Sequence, residues 1–324
     1  MVRKFIMENP GENRLMLGFA FFAIYFVWGT TYLANLFALE SIGPFILSCL
    51  RYIIAGLLLA GWSVLKKLSW PDLSMIKVLA ISGTIMLVGG SGLVVFAEQY
   101  ISSGYAAVII ATEPLWFVIL DKKRWKFYFS DTRVISGLLI GFAGVALFSY
   151  LSPVGTAAEE NSHKLMGTII VLVSAVLWVS GTLYANKRIK SGSANFTNTS
   201  IQLLSAGLVS GLIAIGTGEW STFSVNEVSA KAWGGLGFLV IMGSLVAYLA
   251  FNWLITVKSP AIVSTHTYVN PIVAIFIGWL LANEHIAFNQ IIALGIVLIG
   301  VILTQLSKEN VAGRKSDLAE EAIY

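Results

Sequence analysis

Ten apolar runs of about twenty residues each follow one another along the chain, near 15–36, 44–64, 76–97, 103–120, 134–151, 166–186, 196–216, 232–254, 261–281 and 288–306. A helix needs roughly 20 residues to cross the ~30 Å hydrocarbon core of a bilayer, so each run is long enough to span one. None alternates apolar and polar residues with period two, as the strands of a membrane barrel do. The sequence therefore predicts an all-α membrane protein with ten transmembrane helices. Composition agrees: 12% of the 324 residues are charged, about half the share usual in soluble domains. The first run is too long for the apolar core of a signal peptide, and no small-residue cleavage site follows it. It is read as a retained span.

Charge fixes a direction. Eighteen of the 21 Lys and Arg residues fall on one side of the predicted topology. They lie in the N-terminal segment, in the second, fourth, sixth and eighth connections, and in the tail. Lys164 and Lys231 lie opposite, and Arg51 lies within a span. The positive-inside rule then places both termini in the cytoplasm. The same clustering explains the net charge of +4 without a nucleic-acid partner, for which there is no basic stripe or reading module. Cys49 is the only cysteine, so no intrachain disulfide can form. His163 and His285 sit in outer loops at no ligand spacing, and neither a metal nor another cofactor is expected.

The longest outer linker, 152–165, divides the chain into halves at 15–151 and 166–306, flanked by a cytoplasmic segment, 1–14, and a polar tail, 307–324. The halves echo each other. Glu113-Pro114 in the fourth run answers Asn270-Pro271 in the ninth, Trp28 answers Trp178, and Gly144-Val145 answers Gly300-Val301. Five is odd, so the second half enters the membrane inverted. Inverted repeats with interrupted helices at the midplane are the architecture of many secondary transporters.

In order and spacing, four stretches resemble the EamA branch of the drug/metabolite transporter superfamily, and the resemblance covers about 15–306. They are FAIYFVWGTTYL (21–32), LRYIIAGLLL (50–59), FAEQYISSGYAAVIIATEPL (96–115) and YVNPIVAIFIGWLLANE (268–284). The resemblance implies two inverted five-helix repeats around a central cavity and export of small metabolites or drugs across a plasma membrane, the bacterial inner membrane. The chain departs from the family pattern in two places. The fourth run ends in DKKRWKF (121–127) where an acidic residue matching Glu284 is usual, and Pro114 follows Glu instead of an apolar residue.

Glu113 is the sharpest candidate for chemistry. It lies roughly 13–14 Å deep at 1.5 Å per residue, where a charge costs about 2.5–3.5 kcal/mol on insertion scales. Its functional readings are proton coupling and binding of an amine; its structural reading is a neutral acid bonded to a neighbouring helix. Pro114 and Pro271 each remove a backbone donor, leaving the carbonyls of Ile110 and Thr267 free. Unpaired backbone at this depth is tolerated only beside protein or a water-filled cavity, so the pair points to a cavity between the halves. His266 and Asn270, four apart on one helix face, would join Glu113 in one polar site, or serve as interior hydrogen-bonding groups. Trp28, Tyr32, Trp178, Tyr248 and Asn252 are candidate cavity residues, or ordinary packing. Arg51 and Glu98 are expected to form a structural pair or outer gate. The small residues of the third and fifth runs allow close helix contacts.

Two other classes compete. Gly89-Gly90-Ser91-Gly92 matches the GxSG of intramembrane serine proteases, with His266 as a base for Ser91, provided the two stand within hydrogen-bond reach. A channel would need a ring of charges or a filter, which the sequence does not show. No GxxxxGK[ST] loop supports an ATP-driven pump. The reading that fits best is a non-enzymatic secondary transporter, moving a small-molecule substrate by alternating access through a cavity between spans 1–4 and 6–9. Proton coupling, direction of transport, substrate identity and the choice between monomer and homodimer stay open.

Overall fold

The computed structural model describes residues 14–122, 125–151, 158–189, 195–258, 263–282 and 287–306. Most of the N-terminal segment, the C-terminal tail, Glu284 and His285 lie outside the described residues, as do residues 152–157 of the linker. Ten long helices carry the apolar runs: α1 (Leu15–Leu39), α2 (Pro44–Leu65), α3 (Leu73–Ala97), α4 (Ser103–Leu120), α5 (Thr132–Leu151), α6 (Ala158–Asn186), α7 (Asn195–Gly216), α8 (Ala230–Val257), α9 (His266–Ala282) and α10 (Phe288–Gln305). The described residues contain no strand. Seven of the helices, α1–α4 and α6–α8, are long and apolar enough to cross a membrane, and α5, α9 and α10 are shorter apolar helices.

Several helices begin where local chemistry satisfies their first N–H groups. Asp72 accepts from the Met75 amide at the start of α3, Ser102 from Tyr105 before α4, and Ser229 from Ala232 before α8. Pro44 opens α2, where its missing N–H costs nothing. The α2 N-terminus is closed from the other half of the chain, as Glu219 accepts from the amides of Phe45 (3.0 Å) and Ile46 (2.9 Å).

Packing follows the repeat. α2 lies along α7 and α5 along α10; α3 packs on α6 as α8 packs on α1; α4 meets α6 as α9 meets α1; and α4 meets α9. Exchanging the halves returns the same set of pairs. Glycines set the crossings. In the α2–α7 seam Gly56 faces Leu204 and Gly207 faces Ile53, and each contact is the other's image under the exchange. Gly137, Gly141 and Gly300 bring the α5 and α10 backbones together, so these two helices pair with each other and stay out of the central cavity.

Three helices widen into π turns: α1 at Ala23–Val27, α3 at Thr84–Gly92 and α8 at Leu239–Tyr248. Setting Pro114 on Pro271 makes the α3 and α8 stretches overlap, so this irregularity also belongs to the repeat. A π turn disturbs the i→i−4 ladder and leaves carbonyls for side chains to serve. The Tyr52 hydroxyl donates to the Leu87 carbonyl (3.2 Å) in α3, and the Trp28 indole donates to that of Gly243 (3.3 Å) in α8.

The expectation of two matched breaks at proline is corrected in part. α4 does divide, with a turn at Ala111–Thr112 between Ser103–Ile110 and Glu113–Leu120, and Pro114 sits in the first turn of the second piece. In α9 the turn falls upstream at Ser264–Thr265, and the helix runs unbroken through Pro271 in its second turn. There Asn270 ties α9 to α1, as described below.

A Cβ on Gly300 would meet the Gly137 carbonyl oxygen at 2.8 Å, whereas one on Gly295 of the same helix meets open space. Gly300→Val is therefore expected to cost about 1–3 kcal/mol by overpacking, lowering the melting temperature in detergent, while Gly295→Ala leaves it in place. Equal melting of the two variants would contradict the close seam.

Candidate functional site

A cavity enclosing about 580 Å³, including the space at its mouth, lies between α1, α2, α3, α4, α6 and α9. On α1 its wall is Trp28, Thr31, Tyr32 and Asn35, the i, i+3, i+4, i+7 face of one helix. α3 contributes Gly90, Ser91 and Val94; α6 contributes Ser174 and Trp178, four apart. Gly90 is required there, since a Cβ would run into the Trp178 ring at 2.9 Å. Arg51, Ile110, Glu113, His266 and Asn270 complete the lining.

Polar groups in this wall have unequal duties. Asn270 is structural: with its carboxamide nitrogen turned to α1, it lies within hydrogen-bond distance of the carbonyls of Tyr25 (2.7 Å) and Ile24 (3.1 Å) in the π stretch, and of His266 (3.1 Å). Its counterpart Glu113 has no π turn to serve, because α6 runs as α-helix past it. Glu113 is buried, and its Oε2 has no hydrogen-bond partner among the described residues; the same is true of Asn35 Oδ1. Arg51 is also buried and donates from Nε to Ser244 Oγ (2.9 Å), with its guanidinium 5.3 Å from the Tyr52 ring centre. Its Nη groups make no hydrogen bond to a described residue. One carboxylate and one guanidinium with spare hydrogen-bonding capacity thus face a common space. Stranding a buried charge in this way costs several kcal/mol unless a ligand, a proton or water completes it.

Aromatic rings floor the cavity. Trp28 stands 5.5 Å from Trp178, 5.2 Å from Phe251 and 5.1 Å from His266, centre to centre. Tyr248 stacks on Phe251 at 6.4 Å. His266 donates from Nδ1 to the Val263 carbonyl (3.1 Å), which fixes its tautomer.

Of the residues singled out by sequence, Glu113, His266, Asn270, Trp28, Tyr32, Trp178 and Arg51 line this one cavity. Pro114 and Pro271 are not among its lining residues. Tyr248 is fully buried beneath the floor, and Asn252 lines a second pocket. Arg51 bonds to Ser244 and interacts electrostatically with Glu98, which is buried at the end of α3 and off the lining. Ser91 and His266 share the cavity but no hydrogen bond joins them, so the nucleophile–base contact of a protease dyad is not made. Among the described residues no group of His, Cys, Asp or Glu could hold a metal ion. Asn35 escaped the sequence reading although its helical spacing from Trp28, Thr31 and Tyr32 pointed to it.

Comparison with known proteins yields a family match. The model of the EamA-like transporter family matches residues 15–150 and again 165–306. The uncharacterized inner membrane transporter YedA of Escherichia coli K12 is 30% identical over 292 residues, covering 89% of this chain and 90% of its own. The WAT1-related chloroplastic protein At3g02690 of Arabidopsis thaliana is 26% identical, covering 93% of this chain and 72% of its own. A solved crystal structure, 16% identical, superposes with a TM-score of 0.63 over 94% of this chain and 99% of its own, which shows a shared fold.

The division of labour between Asn270 and Glu113 has a direct consequence. Asn270→Asp removes the donors that serve the α1 carbonyls and should cost about 1–3 kcal/mol, read as a lower melting temperature. Glu113→Gln should melt at or above the wild-type temperature, since it relieves a buried ionisable group. The reverse order would contradict the assignment.

Proposed function

The chain belongs to the EamA-like transporter family and is a multi-pass protein of the plasma membrane, and from that premise we propose that it is a secondary transporter whose substrate site is the cavity between α1–α4, α6 and α9. All ten helices cross the bilayer, with both termini in the cytoplasm. The connections rich in Lys and Arg then mark the inner end, and the cavity, which extends through Asn35, Arg51 and Val94 toward the other end, opens outward. This conformation is the release state of an exporter working by alternating access.

The observation that carries the reading is the pair of incompletely bonded ionisable side chains lining one cavity, Glu113 and Arg51. A carboxylate accepts hydrogen bonds from an ammonium group, and a guanidinium matches a carboxylate. Small amino-acid-like zwitterions supply both, and the aromatic floor accommodates an apolar side chain or a drug-like body. Between solutes, Glu113 takes up a proton, which couples the cycle to the proton gradient.

Flux in proteoliposomes tests this, using a solute identified by comparing the medium of cells with and without the protein. Loss of a charged hydrogen bond is worth about 1.5–3 kcal/mol, so Glu113→Gln should reduce flux of subsaturating solute by roughly ten- to hundredfold and flatten its pH dependence. Unchanged flux at several pH values would exclude both roles of Glu113.

A further inference from the structure

Arg51 does not hold its place in the central cavity unaided. It arises from α2 and is buried, and two consecutive residues of α8 receive its guanidinium. Ser244 Oγ accepts from Nε at 2.9 Å, and Nη2 lies 2.7 Å from where a Cβ on Gly243 would stand. The next atoms around that point are Thr31 Cγ2 (3.2 Å) and Arg51 Cζ (3.5 Å), so the guanidinium fills the room that a side chain at position 243 would take. The Gly243 carbonyl accepts from the indole of Trp28, a residue of the cavity wall. Neither Gly243 nor Ser244 lines the cavity; both belong to the π stretch Leu239–Tyr248.

A second glycine of α8 shows why this contact differs from ordinary helix packing. A Cβ on Gly235 would meet the Ala34 carbonyl oxygen at 2.7 Å and the Ala38 nitrogen at 3.1 Å. That crowding is against backbone, and only a shift of α1 relieves it. At Gly243 the crowding atom is the far end of a long, flexible side chain. A methyl group there is accommodated by moving Arg51 alone, which takes the guanidinium off the place where Ser244 holds it. Alanine also favours a helix over glycine, so the backbone at position 243 loses nothing by the change.

The other half of the chain has no such cradle at the equivalent place. Setting Pro114 on Pro271 brings Met86 and Leu87 of α3 to the places of Gly243 and Ser244. Gln202 occupies in α7 the place that Arg51 occupies in α2, by the exchange that maps Gly56 on Gly207. Met86 is fully buried against Gly181, so neither the room nor the hydroxyl is there. Gln202 is instead consumed by its neighbours: Nε2 donates to Ser82 Oγ (3.1 Å), and Oε1 accepts from Tyr248 (3.0 Å) and Asn252 (2.8 Å). Arg51 keeps its Nη groups without a hydrogen bond to a described residue and lines the central cavity.

We propose that Gly243 and Ser244 are positioning residues that make the central cavity selective for solutes carrying a carboxylate, an assignment that rests on the transport reading above, in which Arg51 receives that group. Gly243 supplies the room and Ser244 the direction. With Nε–H fixed on the Ser244 hydroxyl, the Nη edge of the guanidinium fork is left for a two-point contact with a carboxylate. Alanine at position 243 adds neither charge nor hydrogen-bonding group, so its effect on affinity passes through Arg51.

Binding of L-leucine and of L-leucinamide to the purified full chain in detergent, by isothermal titration calorimetry at about pH 6, reads this selectivity. Both amines are charged there, and the probes differ at the carboxyl group alone. The wild type should prefer L-leucine by roughly ten- to hundredfold, the weight of a charged hydrogen bond. Gly243→Ala should remove most of that preference by weakening L-leucine and not the amide, at an unchanged melting temperature. Ser244→Ala, which adds no volume, should lower the preference in the same direction. Arg51→Gln should abolish it, and adding Gly243→Ala to Arg51→Gln should cost nothing further. Gly235→Ala should lower the melting temperature and keep the preference. A preference that survives Gly243→Ala but not Arg51→Gln overturns the positioning role and leaves the transport reading standing. Equal weakening of both probes by Gly243→Ala, or losses that add in the double variant, overturns it as well, and an unchanged preference in Ser244→Ala overturns the assignment of Ser244. A wild type that binds neither probe, or both alike, overturns the carboxylate reading and the positioning role together.

Discussion

In hydrocarbon every backbone N–H and C=O must find its partner inside the protein, because water is not there to supply one. Among the described residues three helices widen into π turns, and side chains of neighbouring helices serve the carbonyls these leave. Tyr52 serves α3, Trp28 serves α8, and Asn270 serves α1. Two of the three repairs join one half of the chain to the other. The irregular turns thus fix how the halves sit together, and the space left between them becomes the central cavity.

The inverted repeat makes that space, and departures from the repeat give it chemistry. Asn270 and Glu113 hold equivalent places beside their prolines, yet one is consumed by α1 and the other is left over. The difference traces to α1, which has a π stretch where α6 has none. Arg51 and Gln202 diverge in the same way, giving one space a charge and the other an amide. A symmetric scaffold therefore lines two spaces with unlike polar groups, and Trp178, Tyr248 and Phe251 pack together near both.

Much of this was legible in the sequence. Hydropathy located nine of the ten helices to within about five residues, because length and apolarity are what a bilayer demands. The exception is α6, which begins at Ala158 in the polar linker ahead of its apolar run. The matched prolines pointed to a cavity, and Glu113, Trp28, Trp178, His266 and Arg51 do meet there. What could not be read depends on rotation about helix axes. The π turns shift which face of α3 and α8 looks inward and leave no composition of their own. Tyr248 and Asn252 consequently fall below the floor, and Arg51 bonds to Ser244 in α8. The unbroken course of α9 through Pro271 and the contacts of Asn270 with carbonyls of a distant helix were also hidden, since both depend on tertiary packing.

The account stands on Glu113 as the group that meets solute or proton. Infrared difference spectroscopy on reconstituted protein addresses that carboxyl directly, comparing spectra with and without a transported solute. The account predicts a solute-induced change in the carboxyl stretching region that disappears in Glu113→Gln. A solute that binds and is transported with no such change, or with one that persists in the variant, would contradict it.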